Sequence, residues 1–403
     1  MRISKLGKLL YRGFGIKDVI IKWIDFIEGA LVFNVETKQC LRKCSKCNSR
    51  NVKKKQSKLR RLRLIPLGKM QCWLEIMVHK FYCHDCHSST WMKLPFAAGK
   101  LPMTISYVQY TLSLIKIGTV QGIAIFLGLH WKTVKNIHKD YLQKKYEKIS
   151  YKNIVYLSMD EFAIKKGHKY MTVFLDLCTG RIVYVCEGRS IECIEPFLQK
   201  LKKRAKKLLA IAMDLSPTYI SAIKSILPHV AIVFDRFHVV KLLNNMMDDL
   251  RKSEREACLK VGLDVGKGDR FLFLKNFGDL NTNQQGRLEQ LFEINKVLAK
   301  VYFMKEQFRT FWEQSTIEKA ACFLIAWICE ALASDIPALQ KMAYSMINHG
   351  EGLLSYYDHR ISNGRIEGTN NKIKVLKRRG YGYRDMDYFK LLLYDLHASK
   401  QVA

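Results

Sequence analysis

The chain has 403 residues, with 68 Lys and Arg against 36 Asp and Glu and a formal charge of +32. That length allows roughly two to four domains with sizeable cores, and a charge excess that opposes compactness points to a polyanionic partner, nucleic acid before any other. There is no run of about 18 apolar residues, and MRISKLGKLLYRGFGIKD lacks a signal-peptide core, which argues against membrane and secreted classes and for a cytoplasmic, nucleoid-associated protein.

Residues 1–30 read as a short amphipathic lead-in. The first hundred residues hold 22 Lys and Arg against 6 Asp and Glu, half the net charge in a quarter of the length. Six of the 12 cysteines lie between Cys40 and Cys86. In a reducing compartment such a cluster argues for metal rather than disulfides. Cys44-x-x-Cys47 and Cys83-x-x-Cys86 are two knuckles. Residues 59–65 (LRRLRLI) and 72–82 (CWLEIMVHKFY) predict a hairpin between them. Zinc takes four soft ligands in a tetrahedron, and a hairpin can bring two such bends to one ion. The 35-residue gap between knuckles is long for a zinc ribbon, and Cys40, Cys72, His84 and His87 are spare donors. The scattered cysteines, such as Cys322 and Cys329, are expected to be small core residues. KKKQSKLRRLR (53–63) puts Lys53, Lys54, Lys55, Arg60 and Arg61 beside the knuckles. Such a run is either a solvated surface or a phosphate contact, and beside a zinc ribbon the second reading is preferred.

Residues 104–147 predict helices. Within them TVQGIAIFLGLHWKTVKNIHKDY (119–141) fits a helix-turn-helix: Val120, Ile123, Ala124 and Leu127 inward, Gly128 at the turn, then Trp131 to Tyr141 with Val134 and Ile137 inward. Lys132, Lys135, Asn136 and Lys139 would face out, where a recognition helix meets DNA. An ordinary helical hairpin would share much of this pattern.

From 150 to 235 the rhythm changes. Apolar runs at 154–159, 170–175, 182–186, 208–213 and 230–234, with helical patterns at 191–203 and 217–226, predict a mixed sheet flanked by helices. Residues 236–350 predict a helical block broken at 262–268 and 276–286. Asp160 ends the run IVYLSMD and Asp214 ends LLAIAMD. One such acid reads as a cap; two, on strands that can be neighbours, read as a carboxylate pair. Glu161 alternates to the other face. Asp235-x-x-His238 follows the fifth run, either as a helix cap with a polar interior His or as part of the site. Glu367 is the one acid in ISNGRIEGTNNKIKVLKRRGYGYR (361–384), among seven Lys and Arg. A helix over 365–378 sets Glu367, Asn371, Lys374 and Arg378 on one face. Three converging carboxylates can hold two divalent cations, Mg2+ or Mn2+, for phosphodiester chemistry, with the surrounding bases on the nucleic acid backbone.

SMDEFAIKKGHKYMTVFLDLCTGRIV, AMDLSPTYISA, VFDRFHVVKL and SNGRIEGTNNKIKVLKRRGYGYR, in that order, resemble bacterial insertion-sequence transposases of the DDE class, more narrowly the ISL3 family. The resemblance implies a ribonuclease-H-like catalytic fold with a helical insertion before the last acid, and Asp160, Asp214 and Glu367 as the catalytic, cation-binding triad. Asp235 and His238 match an Asp-x-x-His signature of related lineages, and Lys374 the basic residue on the Glu-bearing helix. The expected organisation is a lead-in (1–30), a zinc-ribbon DNA-binding domain (31–98), a helix-turn-helix domain (99–150), the first part of the catalytic domain (151–238), a helical insertion (239–355) and its C-terminal part (356–403). The implied protein binds terminal inverted repeats and target DNA as an oligomer and carries out cleavage and strand transfer. Two other readings are a non-catalytic DNA-binding regulator and a nuclease of the same fold without strand transfer.

Overall fold

A computed structural model of the chain describes residues 5–165, 169–260 and 268–397. It contains two compact units, Met1–Lys145 and Tyr146–Ala403.

The first unit opens with α1 (Lys5–Phe14) and a five-stranded sheet: β1 (Val19–Ile27), β2 (Ala30–Thr37), β3 (Val52–Leu67), β4 (Met70–Cys83) and β5 (Ser89–Trp91), ordered β1-β2-β4-β3 with β5 on β4. The expected boundary at residue 30 falls inside this sheet, because β1 pairs with β2 from Val19↔Thr37 to Ile27↔Ala30. The hairpin is longer than its apolar patterns suggest. Its basic half stays in the ladder because β4 supplies partners as far as Val52↔Cys83. Gly68 turns it at φ +60, a conformation costly for other residues. Leu62, Leu64, Cys72, Leu74 and Ile76 alternate onto one face and bury against Phe14 and Phe33.

Three helices follow: α2 (Ile105–Ile115), α3 (Val120–Leu127) and α4 (Trp131–Tyr146). Thr119 caps α3 by accepting from the Gly122 N–H, and Gly128 ends it in the left-handed region at φ +59. Ile123, Ala124, Leu127, Val134 and Ile137 form the small core between α3 and α4. Arg63 joins this core to the sheet: its guanidinium stacks on Trp73 and Tyr107 and donates to the Gly128 carbonyl at 3.2 Å.

The second unit is built on β6 (Tyr156–Lys165), β7 (Lys169–Asp176), β8 (Ile182–Glu187), α5 (Ile191–Arg204), β9 (Ala210–Met213), α6 (Pro217–Ile226) and β10 (Ala231–Phe234). The strand order is β10-β9-β6-β7-β8. β6, β9 and β10 run parallel, while β7 is antiparallel to both β6 and β8. Apolar residues occupy both faces of the central strands because both faces are covered. Leu157, Met159 and Phe174 pack on the side of α5 and α6. Phe162, Met171, Val173 and Leu175 pack on the other, against Ile366, Ile373, Phe389 and Leu393. These last four lie on α13 (Gly364–Arg379) and α14 (Met386–Asp395).

Between the sheet and α13 lies an all-helical block: α7 (Arg236–Lys260), α8 (Arg270–Leu274), α9 (Thr282–Ile294), α10 (Lys296–Phe308), α11 (Ile317–Leu332) and α12 (Pro337–His359). Most of the first expected break, 262–267, lies outside the described residues. The second closes early, because Asn281 and Gln284 form a capping box that starts α9. Cys322 and Cys329 correct the expectation of buried thiols: both are exposed. The buried stripe of α11 is Ala320, Leu324, Trp327 and Ala331, and the two cysteines fall on its other side. Among the described residues, no helix is long and apolar enough to cross a membrane.

Candidate active site and metal centre

The two knuckles share one local design. Cys44-Ser-Lys-Cys47-Asn48-Ser49 and Cys83-His-Asp-Cys86-His87-Ser88 each put the residue after the second Cys in the left-handed region, Asn48 at φ +61 and His87 at φ +50. Each first Cys N–H donates to the carbonyl of the Ser five residues on, at 2.8 and 2.9 Å. The hairpin holds these matched turns at the end where β3 begins and β4 finishes. All four Sγ atoms lie within 4.8 Å of one another. Cys44–Cys86 and Cys47–Cys83 are 3.6 and 3.5 Å apart. A zinc–sulfur bond of about 2.3 Å requires a tetrahedral edge of about 3.8 Å, so the donor set fits that ion. Backbone N–H groups of Cys47 and Lys46 pull the Cys44 thiol down to about 5, favouring the thiolate. The spare donors stand aside: Cys72 is buried in the sheet core, Cys40 is exposed, and His84 and His87 pack on Tyr82.

The second site grows from strand register. β6 pairs with β9 as Tyr156↔Ala210, Leu157↔Ile211 and Ser158↔Ala212. Two residues on, the same register sets Asp160 beside Asp214. β9 and β10 end on Met213↔Phe234, which sets Asp235 beside Asp214. Three aspartates thus form a row across three parallel strands. Asp160 is not at a strand tip as its apolar run suggests, since β6 continues through Lys165 and pairs Asp160 with Val173. Burial pushes the Asp160 carboxyl up from its ordinary range, and the charge of Asp214 adds to the shift. Among the described residues neither carboxylate forms a salt bridge with a Lys or Arg, although the chain carries 68 of them. Glu161 sits on the opposite face and accepts from the Tyr219 hydroxyl at 2.5 Å.

α13 lies along β6 and touches it at seven-residue intervals. The Ser158 hydroxyl donates to Asn363 Oδ1 at 2.6 Å, Asn370 Nδ2 donates to Asp160 Oδ2 at 2.6 Å, and Lys377 Nζ donates to the Ala163 carbonyl at 2.5 Å. Asp235 ties down the start of the helix, its Oδ1 accepting the Asn363 N–H at 3.4 Å while Oδ2 accepts from His238 Nδ1 at 3.0 Å. Glu367, Asn371, Lys374 and Arg378 are all exposed on this helix. The oxygens of Asp160, Asp214 and Glu367 do not form a group within 4.8 Å; the described residues show that closeness only for the four cysteines. Instead α13 presents Asn370 to Asp160. Sequence reading paired Glu367 with Asn371 and passed over Asn370. The available signal was the buried stripe Ile366, Thr369 and Ile373, which points the helix face at 370, not 371, toward the sheet.

The hydrogen bond to Asp235 chiefly, with the charges of Asp235, Asp214 and Asp160 adding to the effect, favours the protonated form of His238. Its folded pKa is therefore above the ordinary 6.5. The stability it contributes is fully present below the unfolded value and is lost as pH rises through the raised folded value. Thermal melts of the wild type and His238→Asn should differ more at pH 6 than at pH 9, by about 1 kcal/mol or less after solvent screening. An equal gap at both pH values would contradict a raised His238 pKa.

Of the residues singled out in the sequence for DNA contact, Lys53, Lys54, Lys55, Arg61, Lys132 and Asn136 are exposed and Lys135 is half-buried. Arg60 is committed to the fold: it donates to the carbonyls of Gly99 and Leu101 at 2.6 and 2.9 Å. Arg61 lies over Trp73, 3.6 Å from Glu75.

A family model described as "Transposase", that of the ISL3 DDE transposases, matches residues 157–393. The transposase for insertion sequence element IS1001 of Bordetella parapertussis is 29% identical over 385 residues, 94% of each chain. The transposase for IS1557 of Mycobacterium tuberculosis is 24% identical, covering 92% of this chain and 89% of that one. A chain of the Drosophila P element transposase strand transfer complex is similar at a TM-score of 0.42 and 10% identity, with 73% of this chain and 91% of that chain covered. The aspartate row and the α13 contacts fall within the matched span, and the chain belongs to the ISL3 family of insertion-sequence transposases, enzymes that cut and transfer DNA.

Proposed function

We propose that this transposase binds the terminal inverted repeats of its element and catalyses divalent-cation-dependent cleavage and strand transfer, with Asp160, Asp214 and Glu367 as its carboxylates. The observation that carries this reading is the Asp160–Asp214 pair. Two like charges about 5 Å apart at an effective dielectric of about 20 repel by roughly 3 kcal/mol, and among the described residues no Lys or Arg forms a salt bridge with either, which leaves His238, itself hydrogen-bonded to Asp235, as a partial offset. A donor set of carboxylates with buried amide groups suits a hard cation such as Mg2+ or Mn2+. Such a cation, when bound, activates the attacking oxygen and stabilises the leaving one. Asp160 and Asp214 supply its negative ligands from a rigid sheet. Glu367 adds a third from the helix that already touches Asp160 through Asn370.

Further support comes from the topology. A five-stranded sheet in the order 3-2-1-4-5, with only the second strand reversed, is that of the ribonuclease-H-like fold, here followed by a helical insertion before α13. Lys374 and Arg378 share the exposed face of α13 with Glu367 and are placed to meet backbone phosphates. The zinc ribbon, exposing Lys53, Lys54 and Lys55, and the helix-turn-helix, with Lys132, Lys135 and Asn136 on α4, would hold the repeats. Two ends must be joined, so the working form is an oligomer.

Precut inverted-repeat ends incubated with the protein and Mg2+ or Mn2+ should be joined to a target duplex. Cleavage without joining would replace this reading with that of a nuclease, and neither reaction would leave a DNA-binding regulator.

A further inference from the structure

Asn370 is the residue through which α13 meets Asp160 of the aspartate pair, and its two amide atoms are in different situations. Nδ2 donates to Asp160 Oδ2 at 2.6 Å, while Asp160 Oδ1 accepts the Glu161 N–H at 2.7 Å. The other amide atom, Oδ1, is buried with no hydrogen-bond partner. A buried carbonyl oxygen left unpaired costs about 1–3 kcal/mol, so an orphan acceptor on an amide already bonded to the Asp160 carboxylate calls for an explanation. The amide cannot remove the problem by turning over, because its oxygen would then face a carboxylate oxygen. What the orphan lacks is a positive partner, and a hard cation takes amide carbonyls as readily as carboxylates.

We propose that Asn370 is a ligand of the same divalent cation that Asp160 and Asp214 hold, its Nδ2 fixing the Asp160 carboxylate and its Oδ1 offered to the ion. This rests on the cation reading of the aspartate pair. It gives α13 a direct ligand at the sheet as well as the exposed Glu367, three residues earlier. Asn370 then helps to set the approach of Glu367, since both ride on one rigid helix.

The test is Mn2+ binding to the full-length, zinc-loaded protein without DNA, read by calorimetry or by the free-Mn2+ electron paramagnetic resonance signal. Asn370→Ala should weaken binding by about 10–100-fold, with zinc content and far-UV circular dichroism unchanged. Asn370→Asp should bind Mn2+ at least as tightly as the wild type. An aspartate offers the cation an oxygen but cannot donate to Asp160, so this variant separates a ligand from a mere hydrogen-bond donor. Wild-type affinity in Asn370→Ala, or Asn370→Asp as weak as Asn370→Ala, would overturn the proposal. Asp160→Asn is the control. If it too retains Mn2+, the underlying cation reading fails; if it alone loses Mn2+, only the role of Asn370 does.

Discussion

Glu367→Gln should abolish cleavage of a labelled inverted-repeat end and strand transfer from it, by at least about a thousandfold, or roughly 4 kcal/mol of transition-state stabilisation, while DNA binding stays intact or tightens slightly. The amide keeps the size of the side chain and loses the charge that holds a divalent cation. Asp160→Asn and Asp214→Asn should behave alike, and the double substitution should be no worse than either single one, because on the proposed reading all three act through one cation site. Glu161→Gln should be much milder. Its side chain lies on the other face of β6, against Tyr219, and bears on the site through the backbone N–H it gives to Asp160 and through its charge, without pointing into it. Glu367 is the most exposed to refutation of the three, since the structure leaves its carboxylate on the surface. A Glu367→Gln protein that still cuts at a near wild-type rate would demote it to a surface charge and leave Asn370 as the contribution of α13 to the site.

The second large effect concerns zinc. Purified protein should carry about one zinc per chain, and Cys47→Ser should unfold the end of the hairpin where the knuckles meet. That end has less to hold it: Lys53, Lys54 and Lys55 face solvent, and on β3 the fully buried core residues begin farther along at Leu62, so the apolar contacts near the knuckles come mainly from Val78 and Phe81 of β4. For so small a module the free energy of metal binding is folding free energy. Binding of inverted-repeat DNA should weaken at least tenfold, because the exposed lysines lose their fixed spacing along the phosphates. Metal analysis showing no zinc in protein that still binds the repeats would exclude the site.

Much of this protein could be read from its residues in order. The knuckles were legible because thiolates at that spacing have little other use in a reducing compartment. The strands of the second sheet were legible because each is a compact apolar run between turn residues. The Gly128 turn announced itself through the helical spacing of apolar residues on either side. Asp160 and Asp214 stood out as acids against apolar strands, and Glu367 as an acid against a basic background.

What tertiary structure alone decided is whatever depends on register and on which face of an element meets its neighbour. Local patterns give a strand its existence but not its partner, so the row of Asp160, Asp214 and Asp235 emerges only from the parallel pairing of β6, β9 and β10. They give a helix its apolar stripe but not its depth against a sheet, so the choice of Asn370 over Asn371 rested on how α13 lies along β6. The same cause misplaced Cys322 and Cys329: a thiol is small and weakly polar enough to be stable on either side of a helix, and only the packing of α11 showed which. Local propensity and patterning act between near neighbours in the chain, whereas the site joins residues as much as 210 positions apart, Asp160 to Asn370, and that junction is set by the packing of the whole second unit.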